Sequence, residues 1–535
     1  MTSDNKVAKG VPKLRHSFWV RLWRGKTPSL FLLGIAAGVA TIMAIPIIYV
    51  IIQGAQADPG RWRLLFDQRI PVLLNRSLGL TVAVTSLSLL VGVPLAWLVS
   101  RTDLPGREVW RWLLALPMVI PPYVGAMTYI IVFGPRGLMW QTLGKTPLDI
   151  YSFTGVSLVL ASFTFPYVFL LASSALRRMN RNYEEAAAAA GFSPLQVALK
   201  VTLPLLRPAV GAGALLVALY VLADFGAVNM LRYSTFTTAI FYQIGSFDQT
   251  SAAILSVILV SITVLLLYLE NRSKAGIQYS SIRGTWHCRQ QISLGRVKPL
   301  AAVFVSIVFF FTAVLPLAVL VFWSIAGIAS GALDPRFFGF AMNSLMTAGV
   351  AALVAGILAL PVVYLRRRHP GVVSGLINRL SYTGYSLPGV IVALGMIFLF
   401  NNYLPLVYGT ASVLILAYII RFMPQSMQAT ETALSQVPPQ LEEAAQSLGF
   451  GPWMVLRRIT TPLAMPGIMA GISFVFVSSL KELPATLLLR PAGMDTLAVR
   501  IWIEASEAFY YRAAPAALLI VLLSVLPLKW MLSKY

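Results

Sequence analysis

The sequence predicts an all-α polytopic membrane protein with about 12 transmembrane helices in two parallel six-helix repeats. Three observations predict it. Of the 535 residues, 58% are hydrophobic and only 11% are charged, whereas roughly a quarter are charged in an ordinary soluble domain. The apolar residues gather in long runs, and the second half of the chain repeats the first. This composition excludes a simple soluble enzyme.

The apolar runs have the length that a membrane span requires. A bilayer core about 30 Å thick is crossed by about 20 apolar helical residues. In the first half the runs are residues 30–52, 77–100, 112–133, 153–176, 208–231 and 252–269. In the second half they are residues 299–328, 344–365, 380–400, 404–420, 463–480 and 513–528. The run 208–231 is the one that contains an acid, Asp224. The first run, about 23 residues long, exceeds the core of a signal peptide and predicts an uncleaved span.

The net charge of +23 has two explanations, since basic residues serve nucleic-acid binding in soluble proteins and accumulate in cytoplasmic loops of membrane proteins. The distribution of the basic residues distinguishes these explanations. Successive connecting segments lie on alternate sides of the membrane. The set that includes both termini carries 30 Lys and Arg, and the opposite set carries 12. This predicts cytoplasmic N- and C-termini and no nucleic-acid partner. We interpret the triplet Arg366, Arg367 and Arg368 as a topology anchor, with a lipid or nucleotide contact as the alternative.

Two long segments match at a constant offset of 258 residues without a gap, from Pro166/Pro424 to Thr238/Thr496. Further upstream the offset is 267, as in Ser77/Ser344. The chain is therefore a tandem duplication. Each repeat holds six runs, an even number, so the halves should have the same orientation, related by an axis along the membrane normal. Parallel repeats of this kind commonly place a substrate path between them.

The repeat and the runs together predict the domain order. It comprises a cytoplasmic N-terminal tail (1–29), a first half (30–270, its repeat at about 75–270), a basic cytoplasmic linker (271–298) and a second half (299–535, its repeat at about 340–530). The linker holds adjacent His287 and Cys288, too few ligands for a metal site. We assign no metal site and no catalytic residue.

The strongest motif occurs once in each half, between the fourth and fifth runs. Its positions are Glu185, Ala186, Gly191 and Pro204 in the first half and Glu443, Ala444, Gly449 and Pro462 in the second. We call the two segments knuckle 1 (residues 182–204) and knuckle 2 (residues 440–462). Four of the 19 acids fall in them: Glu184, Glu185, Glu442 and Glu443.

Each knuckle has the signals of two short helices that meet at a bend. Asn182 can cap the first helix of knuckle 1, Gly191 can adopt the left-handed turn that ends it, and Pro194 suits the first position of the next helix. One such segment is explained equally well by a capped re-entry loop. Two copies with identical spacing favour a shape that fits a groove on a soluble partner.

The spacing of the knuckles resembles the EAA loop in the membrane subunits of type I ABC importers. The resemblance covers both halves and implies that each knuckle docks on one of two copies of a cytoplasmic ABC ATPase. The docking positions would be Glu185, Ala186 and Gly191, with Glu443, Ala444 and Gly449. Thr461 departs from the usual Leu before the proline. The resemblance also implies an extracytoplasmic solute-binding protein and a place in a bacterial inner membrane.

Segments 222–228 (LADFGAV) and 481–491 (KELPATLLLRP) resemble the fused permease of ferric-iron importers. Related fused permeases for thiamine or aminoethylphosphonate share this architecture and remain alternatives. An ion-coupled secondary transporter is the competing class, which would predict coupling carboxylates nearer mid-membrane and no paired knuckles. A membrane-embedded enzyme is disfavoured, because the runs offer no set of groups for acid–base chemistry apart from Asp224.

The 258 offset places Asp224 opposite Glu482 near the outer end of each fifth run. An acid in hydrocarbon normally faces a cavity or a partner. Two interpretations are open: the acids line the translocation path and attract a cation, or they form structural pairs with Arg232, Lys481 or Arg490.

No energy source is visible in the chain. A phosphate-cradling loop needs Gly, four residues, then Gly-Lys-Ser/Thr. The one resemblance, Gly144-Lys145-Thr146, has Met139 where the first glycine must be. We therefore expect no cofactor on this chain, with ATP used by the partner subunit.

Overall fold

The computed structural model describes residues 28–180, 182–274 and 292–532, and within these ranges all named elements are helices. In the first half they are α1 (Leu30–Ala55), α2 (Pro59–Gln68), α3 (Ile70–Arg101), α4 (Arg107–Leu113), α5 (Pro122–Phe133), α6 (Leu138–Leu143), α7 (Phe153–Arg178), α8 (Asn182–Ala189), α9 (Pro194–Val197), α10 (Leu203–Ala223), α11 (Gly226–Met230), α12 (Phe236–Gly245) and α13 (Gln249–Lys274).

The second half follows a similar order, without counterparts of α2 and α6 and with two helices in place of α1. Its helices are α14 (Lys298–Phe309), α15 (Leu315–Ala329), α16 (Phe337–Arg368), α17 (Val372–Ser381), α18 (Gly389–Tyr403), α19 (Ala411–Ser435), α20 (Pro439–Ser447), α21 (Pro452–Val455), α22 (Thr461–Leu480), α23 (Pro484–Leu489), α24 (Leu497–Ser506) and α25 (Tyr510–Leu532). Three π turns join neighbouring helices at Ala198–Thr202, Phe310–Val314 and Leu456–Thr460.

Among the described residues, eight helices are long and apolar enough to cross a membrane, or nine if one bent pair is a single span. Two shorter apolar helices, Gly389–Tyr403 and Tyr510–Val525, add to them. Each of the twelve predicted runs coincides at least in part with a helix. Many apolar side chains face outward, such as Val82 (65% exposed) and Ile357 (69% exposed), as expected of surfaces that contact lipid. The prediction of an all-α polytopic membrane protein is confirmed.

The run predicted at 404–420 has the wrong bounds. Its helix, α19, begins at Ala411 and continues to Ser435. The preceding residues form turns, with Gly409 in the left-handed region at φ 79°. The helix passes through Arg421 and Glu431 because both are paired with other side chains of the protein. Charge alone therefore did not mark the end of this span.

The run predicted at 112–133 is broken in the structure. A short 3-10 turn, Leu116–Val119, separates α4 from α5, and the chain bends there by 92°. Pro117, Pro121 and Pro122 explain the break, because proline disfavours helical geometry at the residue before it. The second half has a matching 3-10 turn at Thr383–Ser386 before α18. The run 208–231 likewise stops being one helix at Ala223.

The first membrane helix of each half packs against the other half. Helix α1 lies against α16, α17 and α18, and Gly395 in α18 leaves room for the backbone at Pro46. The π turn between α14 and α15 in turn reaches the first half, where Tyr129 donates a hydrogen bond to the carbonyl of Phe311 (2.8 Å). The two halves are therefore interlocked.

The end of the linker is fixed to the first half just after α3. The backbone N–H of Ile292 donates to the carbonyl of Arg101 (3.0 Å), and the N–H of Asp103 donates to the carbonyl of Ile292 (3.2 Å). The Asp103 carboxylate accepts from the Leu294 N–H (2.9 Å) and from Lys298 Nζ (3.1 Å). We call these contacts the linker pin. His287 and Cys288 lie outside the described residues.

Candidate functional site

Each knuckle is a helix, a left-handed bend and a second helix. Gly191 and Gly449 both have φ 86°. Past each bend, the N–H of Phe192 donates to the carbonyl of Ala187 (3.1 Å) and that of Phe450 to Ala445 (3.2 Å). This is the hydrogen bonding that closes a helix at a left-handed glycine. The predicted bend is present at the same position in both halves.

Two details of the knuckles differ from the prediction. Asn182 lies inside α8, and the Asn180 side-chain oxygen accepts the Asn182 N–H instead (3.0 Å). The second knuckle helix also does not end before the span, because it runs through a π turn into α10. Pro204 lacks the N–H that would continue regular hydrogen bonding there, and Pro462 stands at the same place in α22.

The outward face of each knuckle is exposed. Glu185, Ala186, Glu443 and Ala444 are all exposed. Large apolar side chains are exposed beside them, including Leu448 (79%) and Trp453 (67%) in knuckle 2. A face with exposed acids and apolar groups is suited to a protein partner.

The inward face of each knuckle holds a buried cluster of an arginine, a glutamate and a threonine. We call this cluster brace 1 in the first half and brace 2 in the second. In brace 1, Thr202 donates to Glu184 Oε1 (2.7 Å) and Arg101 Nη2 lies 3.4 Å from Glu184 Oε2. In brace 2, Thr460 donates to Glu442 Oε1 (2.8 Å), and Arg368 Nη2 donates to the same oxygen (2.7 Å). Arg368 is thus more than a topology anchor.

Asp224 and Glu482 play the same local role in the two halves. Asp224 Oδ1 accepts the N–H groups of Ala227 and Val228, both at 3.1 Å. Glu482 Oε1 accepts the N–H of Ala485 at 3.2 Å. Each acid therefore caps the short helix, α11 or α23, that follows the fifth span.

Neither acid pairs with the three cations considered from the sequence. Arg490 pairs with Asp495, Arg232 lies over the ring of Tyr151, and Lys481 donates to the carbonyl of Met118 (3.1 Å). The interpretation of these acids as structural ion pairs therefore named the wrong partners.

The partner of Glu482 is Arg421 in α19, whose Nη1 lies 2.6 Å from Glu482 Oε1. The same guanidinium acts electrostatically on Asp224, for which no ion pair is found among the described residues. Sequence reasoning missed Arg421 because the predicted run stopped at residue 420. Its signal was an arginine directly after eight apolar helical residues, 413–420.

The acids lie where the two halves meet. Lys481 of the second half reaches the carbonyl of Met118 of the first (3.1 Å). A Cβ added to Gly226 would lie 3.0 Å from Leu483 and 2.8 Å from Tyr123. The buried hydroxyl of Tyr123 has no hydrogen-bond partner in the structure. The interface thus combines two carboxylates, one guanidinium and a phenol hydroxyl.

Among the residues that the structure describes, no group of three or more His, Cys, Asp or Glu side chains is arranged to hold an ion.

The chain is a duplicated all-α membrane protein. It has two exposed knuckles on one side and a charged contact between its halves. Together these features define the class of transport subunits. The family of binding-protein-dependent transport system inner membrane components matches the chain twice, over residues 88–274 and 351–531. The chain belongs to this family of ABC importer permeases. It is accordingly a multi-pass, non-enzymatic subunit of an inner-membrane transport system.

Two ferric transport relatives match both halves of the chain, and a sulfate permease matches a smaller part. The Fe(3+)-transport system permease protein FbpB 2 of Haemophilus influenzae is 32% identical over 500 residues, covering 92% of this chain and 96% of the relative. The ferric transport system permease protein FbpB of Actinobacillus pleuropneumoniae is 24% identical over 80% of this chain and 66% of its own. The sulfate transport system permease protein CysW of Escherichia coli is 31% identical over 38% of this chain and 71% of its own.

Proposed function

We propose that this chain forms the membrane path of an ATP-driven importer for ferric iron, delivered by an extracytoplasmic binding protein. The knuckles dock on two copies of a cytoplasmic ABC ATPase, which uses the ATP. The N- and C-termini and the linker are cytoplasmic. The chain itself binds no cofactor.

The duplicated knuckle is the observation that supports ATPase coupling. Two exposed bends with the same φ of 86° and the same hydrogen bonds lie 258 residues apart, at equivalent points of a parallel repeat. A dimeric partner presents two equivalent grooves, so two equivalent knuckles can engage both at once. The docking residues are Glu185, Ala186 and Gly191, and Glu443, Ala444 and Gly449.

The full-length similarity to a permease named for Fe(3+) transport supports ferric iron. The sulfate permeases match single halves only, whereas the ferric relative matches both halves of the fused chain. The acids at the interface also suit a hard cation, for which carboxylate and phenol oxygens are favourable ligands. Thiamine and aminoethylphosphonate remain the alternative cargoes.

Uptake of radiolabelled iron by cells with and without this chain tests the proposal. We expect iron accumulation to depend on the chain, while uptake of labelled thiamine and sulfate does not change. Iron uptake that is equal in both strains would refute the proposed cargo. Transport by the purified chain in the absence of any ATPase would refute the proposed class of mechanism and favour a secondary transporter.

A further inference from the structure

Both braces occupy equivalent positions in the duplicated chain. Glu184 and Glu442, like Thr202 and Thr460, are separated by the offset of 258, and Arg101 and Arg368 by the offset of 267. The duplication has therefore kept three side chains and their mutual contacts in both halves. None of them belongs to the exposed docking face.

The braces are buried although two of their three members carry charge. The side chains of Arg101 and Glu184 are 3% and 11% exposed, and those of Arg368 and Glu442 are 13% and 6% exposed. Charges removed from water in this way are weak contributors to stability compared with apolar packing. The buried charged side chains instead connect the elements in a fixed orientation, because the carboxylate accepts hydrogen bonds only from donors in set positions.

Each brace joins three elements. The arginine lies at the end of the second long helix of its half, α3 or α16. The glutamate lies in the first helix of the knuckle, α8 or α20. The threonine closes the π turn that opens the fifth span, α10 or α22. Each knuckle is thus connected to two membrane helices, through the hydrogen bond from its threonine and the ion pair with its arginine.

The docking face and the brace are adjacent on one helix. Glu184 and Glu442 immediately precede Glu185 and Glu443, and neighbouring residues on a helix point about 100° apart. One glutamate is therefore exposed to a partner while the next is bound to the span helices. A short helix with these two faces acts as a lever.

Each brace has a second support. The carbonyl of Arg101 accepts the Ile292 N–H at 3.0 Å, as part of the linker pin. Arg368 instead donates to the carbonyl of Val437 (3.1 Å), and Tyr364 donates to Glu442 (3.3 Å). In the first half Trp97 occupies the position of Tyr364.

From this geometry we propose that the braces are the positioning elements that transmit ATPase movement into the membrane helices. Glu184 and Glu442 are the central residues, and removal of a brace uncouples ATP hydrolysis from transport. The inference rests on the proposed ATPase docking. It assigns to the inward glutamates a role distinct from that of Glu185 and Glu443.

The test uses the full chain, affinity-tagged and purified with the ATPase that it retains, and reconstituted in vesicles with iron-loaded binding protein. Three variants address brace 2: E442Q, the reversal R368E/E442R and the hydroxyl deletion T460V. The matched control is R367Q, which breaks the neighbouring, more exposed pair between Arg367 and Glu431 (3.2 Å). Iron transported per ATP hydrolysed is measured for each.

We expect E442Q to retain the ATPase and hydrolyse ATP, while iron transported per ATP falls about tenfold, the size of a typical coupling between sites. T460V should fall less, and R367Q should match the wild type. R368E/E442R should stay low, because the reversed pair can neither donate to the Val437 carbonyl nor accept from Thr460 and Tyr364. The proposal is overturned if E442Q and T460V transport as much iron per ATP as the wild type. It is also overturned if both variants lose ATPase capture. A wild-type chain that captures no ATPase refutes the proposed function instead.

Discussion

Asp224 has a structural role, and we propose a second role for it in the path. It caps α11 through two backbone N–H groups, both 3.1 Å from one oxygen of its carboxylate. Asparagine is as good a helix cap as aspartate. The substitution D224N therefore removes the charge while the cap is kept.

We expect D224N to express like the wild type and to lower iron uptake about tenfold, the effect of losing one interaction with a charged group. The control is D58N, because Asp58 also caps a helix, accepting the N–H of Arg61 at 3.2 Å, far along the chain from the interface. Uptake is measured with labelled iron at equal protein level. Unchanged uptake in D224N would remove Asp224 from the path.

Glu482 requires a different experiment, because its substitution leaves Arg421 without its partner. Glu482 is 5% exposed, and breaking a buried pair on one side costs about 3 kcal/mol. We expect E482Q to lower the thermal unfolding temperature in detergent. R421Q/E482Q should be more stable than E482Q, since no charge is then left unpaired; the opposite order of melting temperatures would contradict the importance of this pair.

Gly449 forms the left-handed bend of knuckle 2. A Cβ there would meet no atom within 4 Å, yet φ is 86°, and a left-handed conformation costs a non-glycine residue about 1 kcal/mol. We expect G449A to weaken ATPase capture without loss of expression. G211A is the control, because Gly211 lies in α10 with open space around it and a conformation that alanine favours. Equal capture by both variants would show that the bend is not needed for docking.

Between elements, the linker pin is a contact that depends in part on charge. The Leu294 N–H and then the Lys298 ammonium hold the pKa of the Asp103 carboxyl below its usual 3.8. Because this pKa is lowered by folding, the contribution is complete above pH about 3.8 and is lost as the pH falls through the lowered value. At neutral pH the pin is therefore fully formed.

We expect D103N to increase hydrogen exchange at the Ile292 and Leu294 amides at neutral pH, because the charged acceptor and the ion pair with Lys298 are lost. The comparison variant is E108Q, which removes the exposed pair with Arg111 (2.9 Å) in the neighbouring helix α4. Mass spectrometry of the exchanged peptides measures the effect. An unchanged rate in D103N would mean that backbone contacts alone hold the linker.

Between the halves, reciprocal packing makes the duplicated chain one unit. Helix α1 buries Ala36 (0%) and Met43 (1%) in a core formed mainly by helices of the second half, and it also packs on α13 of the first half. In a membrane such close packing is a main source of helix association. We therefore expect the halves to associate without the covalent linker.

We expect two chains divided between Lys274 and Ile292 to co-purify and to transport when expressed together. A first chain that lacks residues 1–57 should bind the second chain poorly, because α1 is missing. Co-purification from detergent and iron uptake measure the two effects. Failure of the intact pair to associate would show that the linker is essential to assembly.

Local sequence patterns predicted much of this protein. The hydrophobic runs, the offset of 258 and the turn signal at Gly191 and Gly449 follow from helix periodicity and from the conformations open to glycine, which are properties of short segments. Pro117 and Pro121 within the run 112–133 indicate a kink or a hinge, but a hydrophobic run does not reveal the direction of its axis, so the size of the bend, 92°, came only from the structure. Arg421 was missed because a charge within a span is stabilised by a partner 61 residues away, Glu482.

The sequence by itself determined the all-α class, the duplication and the two knuckles, since all three depend on residues close together or on exact repetition. Three-dimensional packing decided which charges meet. It paired Glu482 with Arg421, gave Glu184 and Glu442 their inward arginines, and placed the first helix of each half against the other. These pairings depend on distances between remote segments, and such distances exist only after the helices have assembled.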